Sequence, residues 1–395
     1  MKISPATHHQ IKCILKAINE NLQHNPTEQP GLLHGRAGEL LFLHQLAQAY
    51  PELVNSEALI LEIEKLRHSA EKVYPDLGIC TGMTGIGWFF EYIATTDYPV
   101  KDVNNHIDEL IKDTLDVDYW YGDFEYMDGL AGWLPYMLRR CKRAGAKQNF
   151  SVLLRHLRRM SVITADSPAI SAMAKNAPFR FDRALRGFPD YNLGLAHGSP
   201  AIIAALLPVL SEPIFADTAI DLLVIGLNWL EKLRVSNTDV RYFNASFAEE
   251  TRQKPLGWCS GDLPIALIFA KAAILLGRPD YLDIAINIGL SASLRTPGDV
   301  MIPDAGICHG SAGVMLMFNQ LYKYTAMEEF SAAAKSWLDF TLSKYEVNGL
   351  NGLNKNTGCG LHSCTSLLDG YAGVGLALLA AQGHDSQWTE VLLIA

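Results

Sequence analysis

Two cysteines and a histidine stand at matching places in this chain. Cys259 lies in Trp258-Cys259-Ser260-Gly261, and Cys308 and His309 lie in Gly306-Ile307-Cys308-His309-Gly310-Ser311-Ala312-Gly313. Each cysteine precedes by two residues a glycine that opens a long apolar run. Two thiolates and an imidazole form a three-ligand set for zinc, and three protein ligands leave a fourth position open, which is the catalytic rather than the structural pattern. The offset of 49 residues from one cysteine to the other excludes a small zinc finger, whose paired ligands are a few residues apart. Either cysteine alone would read as an ordinary buried thiol. The matched placing, with His309 beside one of them, carries the zinc assignment.

Those residues must be positioned by a repeat. Its core is a glycine, usually followed three residues later by a second small residue and then by ten or more mostly apolar residues. The seven instances begin at Gly35, Gly82, Gly129, Gly198, Gly261, Gly310 and Gly370, with offsets of 47, 47, 69, 63, 49 and 60. Ala201 replaces the second glycine in the fourth unit and Pro264 in the fifth, and proline is acceptable in a first helical turn. The runs after the glycines, such as Val314-Met315-Leu316-Met317-Phe318, are apolar nearly all round, as a helix buried on every side requires.

Between them lie more polar helical segments: Ile3–Leu22, Glu57–Val73, Val103–Leu115, Phe150–Val162, Phe215–Arg234, Tyr281–Leu294 and Phe330–Tyr345. In the fifth of these Leu222, Ile225, Gly226, Trp229 and Leu233 share one face, opposite Asp217, Asn228 and Glu231. Alternation of amphipathic and fully apolar helices predicts an all-α chain. We expect an (α/α)7 toroid with seven inner and seven outer helices, one domain over residues 1–395. The longest gap holds Thr164–Asp190, rich in proline and arginine and without apolar periodicity, and this insertion (about 164–190) is expected to cover the barrel mouth.

A Gly-x-x-Gly at a helix start also has a plain packing use, since it lets the chain turn sharply and helices approach. Yet if every inner helix starts after an equivalent glycine, the residues before those glycines converge on one mouth. They are His34, Thr81, Asp128, His197, Ser260, His309 and Asp369. Helix N-termini gathered there favour anionic ligands such as a thiolate. His197 ends Leu193-Gly194-Leu195-Ala196-His197. A lone histidine among apolar residues usually serves the core, but this one shares His309's place in its unit. His34 shares it too, so place alone does not prove a role. For Asp123, Glu125 and Asp128 before the third unit, solvated loop carboxylates and site groups remain alternatives, and Asp262, Arg252 and Lys254 are further charged residues near the fifth unit. Cys359, His362 and Cys364 have short metal-like spacing, but they fall in a Gly/Asn/Ser-rich loop without a fourth partner and are read as loop residues near the mouth. Cys13, Cys80 and Cys141 are read as non-ligands.

Composition narrows the classes. Hydrophobic residues make up 49% of the chain and charged residues 19%, ample for a large core. A net charge of −9 without a basic cluster argues against nucleic acid as a partner. Seven cysteines without a framework spacing fit a reducing compartment. No secretory signal is expected, because Met1–Gln23 reads as an amphipathic helix with polar residues throughout its length, and no transmembrane segment, because no apolar run reaches the needed length. A cytoplasmic location follows as the expectation.

The combination of Asn192-Leu193-Gly194-Leu195-Ala196-His197-Gly198, Trp258-Cys259-Ser260-Gly261 and Cys308-His309-Gly310 with seven glycine units resembles the LanC lanthionine synthetase (lantibiotic cyclase) family, over essentially the whole chain. The resemblance implies a toroid of seven inner and seven outer helices, zinc on Cys259, Cys308 and His309, and His197 as the acid/base histidine. It implies a dehydrated precursor peptide as substrate, whose cysteine thiolates add to dehydroalanine or dehydrobutyrine to form thioether rings. A dehydratase and an export transporter would be the further partners, which could hold the enzyme at the inner membrane as a peripheral member of a biosynthetic complex.

Three positions depart from the family pattern. Glu125 stands where aspartate is common, Ser260 where tyrosine is common, and Pro255 where some cyclases carry arginine. They leave the zinc assignment intact and touch the proton transfer. Two other classes stay open from sequence: a LanC-like enzyme adding glutathione or another small thiol to dehydroamino acids, and a zinc-free α/α-barrel glycosidase or binding scaffold. The glycosidase would need two opposed carboxylates, for which Asp128 and Asp369 are the pair available.

Overall fold

The computed structural model describes residues 1–70, 76–94, 102, 104–160, 162–163, 168–169, 193–233, 243, 256–297, 302, 304–358 and 360–395. Among the described residues are fourteen α-helices: α1 (Pro5–His24), α2 (Arg36–Ala49), α3 (Ser56–Ala70), α4 (Met83–Ala94), α5 (Asn105–Leu115), α6 (Leu130–Arg140), α7 (Ala144–Met160), α8 (Ser199–Leu206), α9 (Pro213–Lys232), α10 (Asp262–Leu276), α11 (Pro279–Ser293), α12 (Ser311–Thr325), α13 (Glu328–Asn348) and α14 (Tyr371–Ala381).

The even-numbered helices are the apolar runs that follow the repeat glycines. They pack in sequence order, each on the next, and α14 returns to pack on α2, so the inner ring closes. Every residue of α14 is buried, as a helix without a polar face requires. The odd-numbered helices surround this ring. In α5 the buried residues Ile107, Ile111 and Leu115 recur every fourth position, one stripe facing inward. On α9 Leu222, Gly226 and Trp229 of the expected face are buried, while Ile225 and Leu233 are half-buried. The toroid of inner and outer helices read from the sequence is the fold observed. By length and composition α9 could cross a membrane. As a member of the outer ring, however, it packs on the inner helix α8.

The expected outer helices match within a few residues, except that α7 begins at Ala144 rather than Phe150 because its first turns are polar. The segment 164–190 lies outside the described residues apart from Pro168–Ala169, which pairs antiparallel with Val162–Ile163. A second ribbon pairs Lys355–Asn356 with Leu361–His362.

The turn before each inner helix is built alike in five units. The N–H of the residue after the repeat glycine donates to the carbonyl seven residues back: Arg36 to Gln29, Met83 to Asp76, Leu130 to Asp123, Ser311 to Asp304 and Tyr371 to Cys364. The glycine is required by this wrapping. At Gly310 a Cβ would stand 2.3 Å from Gly306 N, and at Gly313 it would stand 1.9 Å from Ile307 O.

Neighbouring turns are then stitched together at the residue two before each glycine. Leu33 N donates to Cys80 O, Cys80 N to Met127 O, Cys259 N to Cys308 O, Cys308 N to Leu368 O and Leu368 N to Leu33 O. This belt of backbone hydrogen bonds fixes the mouth. After α14 the chain forms a 3-10 turn over Gln387–Leu392 whose Trp388, Val391 and Leu392 are fully buried. Glu390 there accepts from Trp88 of α4 and Arg139 of α6.

Candidate functional site

The belt explains why two cysteines 49 residues apart meet. Cys259 and Cys308 occupy the same belt position in adjacent units, with their backbones hydrogen-bonded at 3.2 Å. Gly257 allows the close approach, since a Cβ there would lie 3.0 Å from Cys308 O and 3.1 Å from His309 Cα. One donor atom from each of Cys259, Cys308 and His309 lies within 4.8 Å of the others, and among the described residues this is the one group of three or more Cys, His or acidic side chains so arranged. All three are half-buried, open to the mouth.

Sequence reasoning missed the support of this group. Asp304 is 2% exposed, and its Oδ2 faces His309 Nε2 at 3.4 Å. Its Oδ1 accepts from Gly306 N at 3.0 Å and its Oδ2 from Asn356 N at 3.1 Å. A carboxylate on one imidazole nitrogen fixes the ring and leaves Nδ1 to face a metal. The signal lay in the repeat: Asp76, Asp123 and Asp304 all stand six residues before their glycine, and Asp76 makes the matching bond to Gly78 N.

Electrostatics marks the group as a cation's place. The Cys308 hydrogen bond holds the Cys259 thiol down to about 5 against burial, with His309 assisting. The same bond, together with burial, pushes Cys308 far above the usual thiol range. Asp304 first and Cys259 second raise His309 to about 10, against burial. A Cys259 thiolate thus lies beside a protonated Cys308 and a protonated His309, and those protons stand where a metal ion would sit. A Cys2His donor set with a carboxylate behind the histidine fits zinc.

The turns before the third and fourth inner helices bring together a second pair. Glu125 Oε2 lies 2.7 Å from His197 Nδ1. Glu125 is buried and also accepts from the Met127 and Asp128 N–H groups at 3.0 and 2.6 Å. The repeat again supplies the reason. Four residues before the repeat glycine the first, second, fourth, fifth and sixth units have glycine, whereas the third has Glu125. Where that glycine is present it lies against the residue just before the next unit's glycine, as Gly78 does against Asp128 and Gly306 against Asp369. A side chain at this place in the third unit therefore meets His197 of the fourth.

His34 has different surroundings. Its Nε2 lies 2.9 Å from Asp369 Oδ2 and its Nδ1 3.4 Å from the Cys80 thiol, so both nitrogens are engaged. Lys355 Nζ adds a 2.6 Å bond to Asp369. Burial would raise the Asp369 carboxyl, but the bonds from His34 and Lys355 outweigh it and bring it to about 2. A carboxyl so held is a poor general acid, and its bonds to His34 and Lys355 tie the last unit to the first. Asp262 is buried in an ion pair with Arg295 at 2.6 Å. Ser260 is half-buried beside Cys259, while Arg252, Lys254, Pro255 and Cys359 lie outside the described residues. His362 is exposed on its ribbon and Cys364 sits 3.3 Å from Ser366 Oγ, so neither joins the Cys259 group.

An α/α toroid with a Cys2His cluster and a His–Glu pair on the turns that open its inner helices defines the class: a closed helical ring with its polar side chains gathered at one mouth. The family model described as "Lanthionine synthetase C-like protein" matches residues 11–393, and the chain belongs to that family. Among solved structures it is similar to one named "Nisin cyclase", with a TM-score of 0.73 and 18% identity over 98% of this chain and 97% of that one. Structures described as possible members of the GH105 family match less well. The one from Salmonella enterica has a TM-score of 0.41 and 10% identity over 87% of this chain and 96% of its own. The one from Klebsiella pneumoniae has a TM-score of 0.42 and 11% identity over 87% and 95%.

Proposed function

We propose that this protein is a zinc-dependent lanthionine cyclase acting on a dehydrated precursor peptide. The observation that carries the reading is the convergence of Cys259, Cys308 and His309 within 4.8 Å at the mouth that also holds the His197–Glu125 pair. Zinc held by Cys259, Cys308 and His309 would supply a Lewis acid that lowers the pKa of a peptide cysteine. As thiolates, Cys259 and Cys308 would temper that acidity and keep the substrate sulfur nucleophilic.

The remaining work belongs to the chain. The thiol gives its proton to solvent water at the mouth, from which His197 is later reprotonated, and its sulfur forms a bond to the β-carbon of a dehydroalanine or dehydrobutyrine in the same peptide. The C=C electron pair moves toward the carbonyl as an enolate. Glu125 on Nδ1 orients His197, so the proton delivered to the α-carbon is the one on Nε2. One proton leaves the thiol and one enters at carbon, so the ring closes without change in net charge. Asp304 holds His309 throughout.

The test is elemental analysis together with a time course of free-thiol loss from a dehydrated peptide. Wild-type protein should carry one zinc per chain and close rings. Cys308→Ala should lose both while keeping its helix content. Absence of zinc from the wild type, or full zinc in Cys308→Ala, sinks the metal assignment. If the peptide is inert but added glutathione is consumed, the enzyme is a small-thiol transferase.

A further inference from the structure

The two halves of the mouth share a support beneath its floor. Trp258, the residue before Cys259, is fully buried and its indole N–H donates to Leu392 O at 2.6 Å. Tyr126, the residue after Glu125, is fully buried and its hydroxyl donates to Val391 O. The two rings meet edge to face with centroids 6.2 Å apart. Thus consecutive carbonyls of one segment are held by the residues flanking a zinc-ligand candidate in the fifth unit and the acid of the third.

That segment is itself fixed to the inner ring. Glu390 accepts from Trp88 of α4 at 3.2 Å and pairs with Arg139 of α6, and Lys271 of α10 donates to Ala395 O. Partners on α4, α6, α10 and two mouth turns place residues 387–395 inside the ring of inner helices. Buried carbonyls demand donors, so the register of this segment and the aim of the two aromatic side chains fix each other.

We propose that residues 387–395 act as an internal strut, through which Trp258 and Tyr126 serve as positioning residues for zinc binding and proton transfer. This rests on the cyclase reading above. A side chain and the next residue share one backbone, so a tilt at Trp258 moves the Cys259 sulfur, and a tilt at Tyr126 moves the Glu125 carboxylate and with it His197. Metal and acid–base geometry tolerate displacements of only about 0.5 Å. Groups that orient ligands typically change metal affinity or activity by roughly 10–100-fold when removed.

The experiment uses full-length Trp258→Phe, Tyr126→Phe and Glu390→Gln, with Trp133→Phe as control. Trp133 is a buried indole of α6 whose N–H makes no hydrogen bond among the described residues, so its replacement alters packing alone. Zinc affinity is read by competition with a chromophoric chelator, ligand geometry by absorption of the cobalt(II)-substituted protein, and turnover as a function of pH. Trp258→Phe should weaken zinc by about tenfold and shift the cobalt bands. Tyr126→Phe should bind zinc normally but lower kcat by about tenfold at unchanged KM and displace the acid limb of the pH profile. Glu390→Gln, which touches neither half of the site, should weaken zinc in the same direction and carries the test if Trp258→Phe does not fold. Zinc affinity and cobalt spectra like those of Trp133→Phe in both zinc-directed variants would overturn the strut. The metal arms need no turnover, so wild type that binds zinc but forms no thioether refutes the cyclase reading separately.

Discussion

His197 and His34 hold the same place, one residue before a repeat glycine, yet their rings meet different groups. Glu125 takes Nδ1 of His197, while Asp369 and Cys80 take both nitrogens of His34. We therefore expect His197→Asn to retain full zinc and to slow ring closure by roughly 10²–10⁴-fold, the usual worth of a general acid. The same substitution at His34 should leave the chemical step within about threefold of wild type, because no proton-transfer term is lost there. Zinc content and the thiol-loss time course measure both. Loss of zinc in His197→Asn would make His197 a ligand instead. At this scale the Cys259–Cys308–His309 cluster was legible because its cysteines share a repeat offset. Asp304 was not, because an aspartate bonding its own turn looks in sequence like any loop aspartate. Repeat position alone did not separate His34 from His197, which the family resemblance singled out, since their surroundings depend on which acid faces each ring.

Among the elements, the inner helices were the most legible, because a run apolar on every side has one stable location. The polar first turns of α7 hid its start, and the belt between turns was hidden because backbone hydrogen bonds leave no trace in side-chain types. The glycines test the account of the turns. Alanine is favoured over glycine inside a helix by roughly 1 kcal/mol, so an open helical glycine should accept it with a gain. At Gly85 in α4, however, a Cβ would stand 2.2 Å from Ile79 O and 2.9 Å from Leu32 Cβ. Overpacking against backbone should outweigh propensity, and Gly85→Ala should cost about 2–3 kcal/mol in urea unfolding. Gly277, at φ 64 with nothing within 4 Å of a Cβ, should cost only about 1 kcal/mol for the left-handed conformation. If Gly85→Ala is neutral or stabilising, the wrapped turn does not impose its glycine by contact.

As a whole molecule the chain is a closed ring, and its closure brings the first and last units together. The outer helix α1 packs on α14, and Leu368 N donates to Leu33 O across the seam. The repeat reading passes over residues 387–395, which carry no glycine unit, so the segment buried within the ring emerges only from the three-dimensional arrangement. Side chains close the seam too, since Asp369 of the seventh unit bonds His34 of the first and Lys355. These bonds, against burial, hold the Asp369 carboxyl at about 2 where its ordinary value is 3.8. A carboxyl depressed on folding contributes stability that is complete above its unfolded value and lost as pH falls through the folded one. The difference corresponds to about 2 kcal/mol. Asp369→Asn keeps the shape without the titration, so metal-free wild type should exceed the variant most above about pH 5, with the gap closing by about 2 kcal/mol toward pH 2. Parallel urea melts across that range measure the gap. A gap that stays constant with pH would mean that the seam holds by packing and backbone bonds, with Asp369 contributing no charge-dependent stability to ring closure.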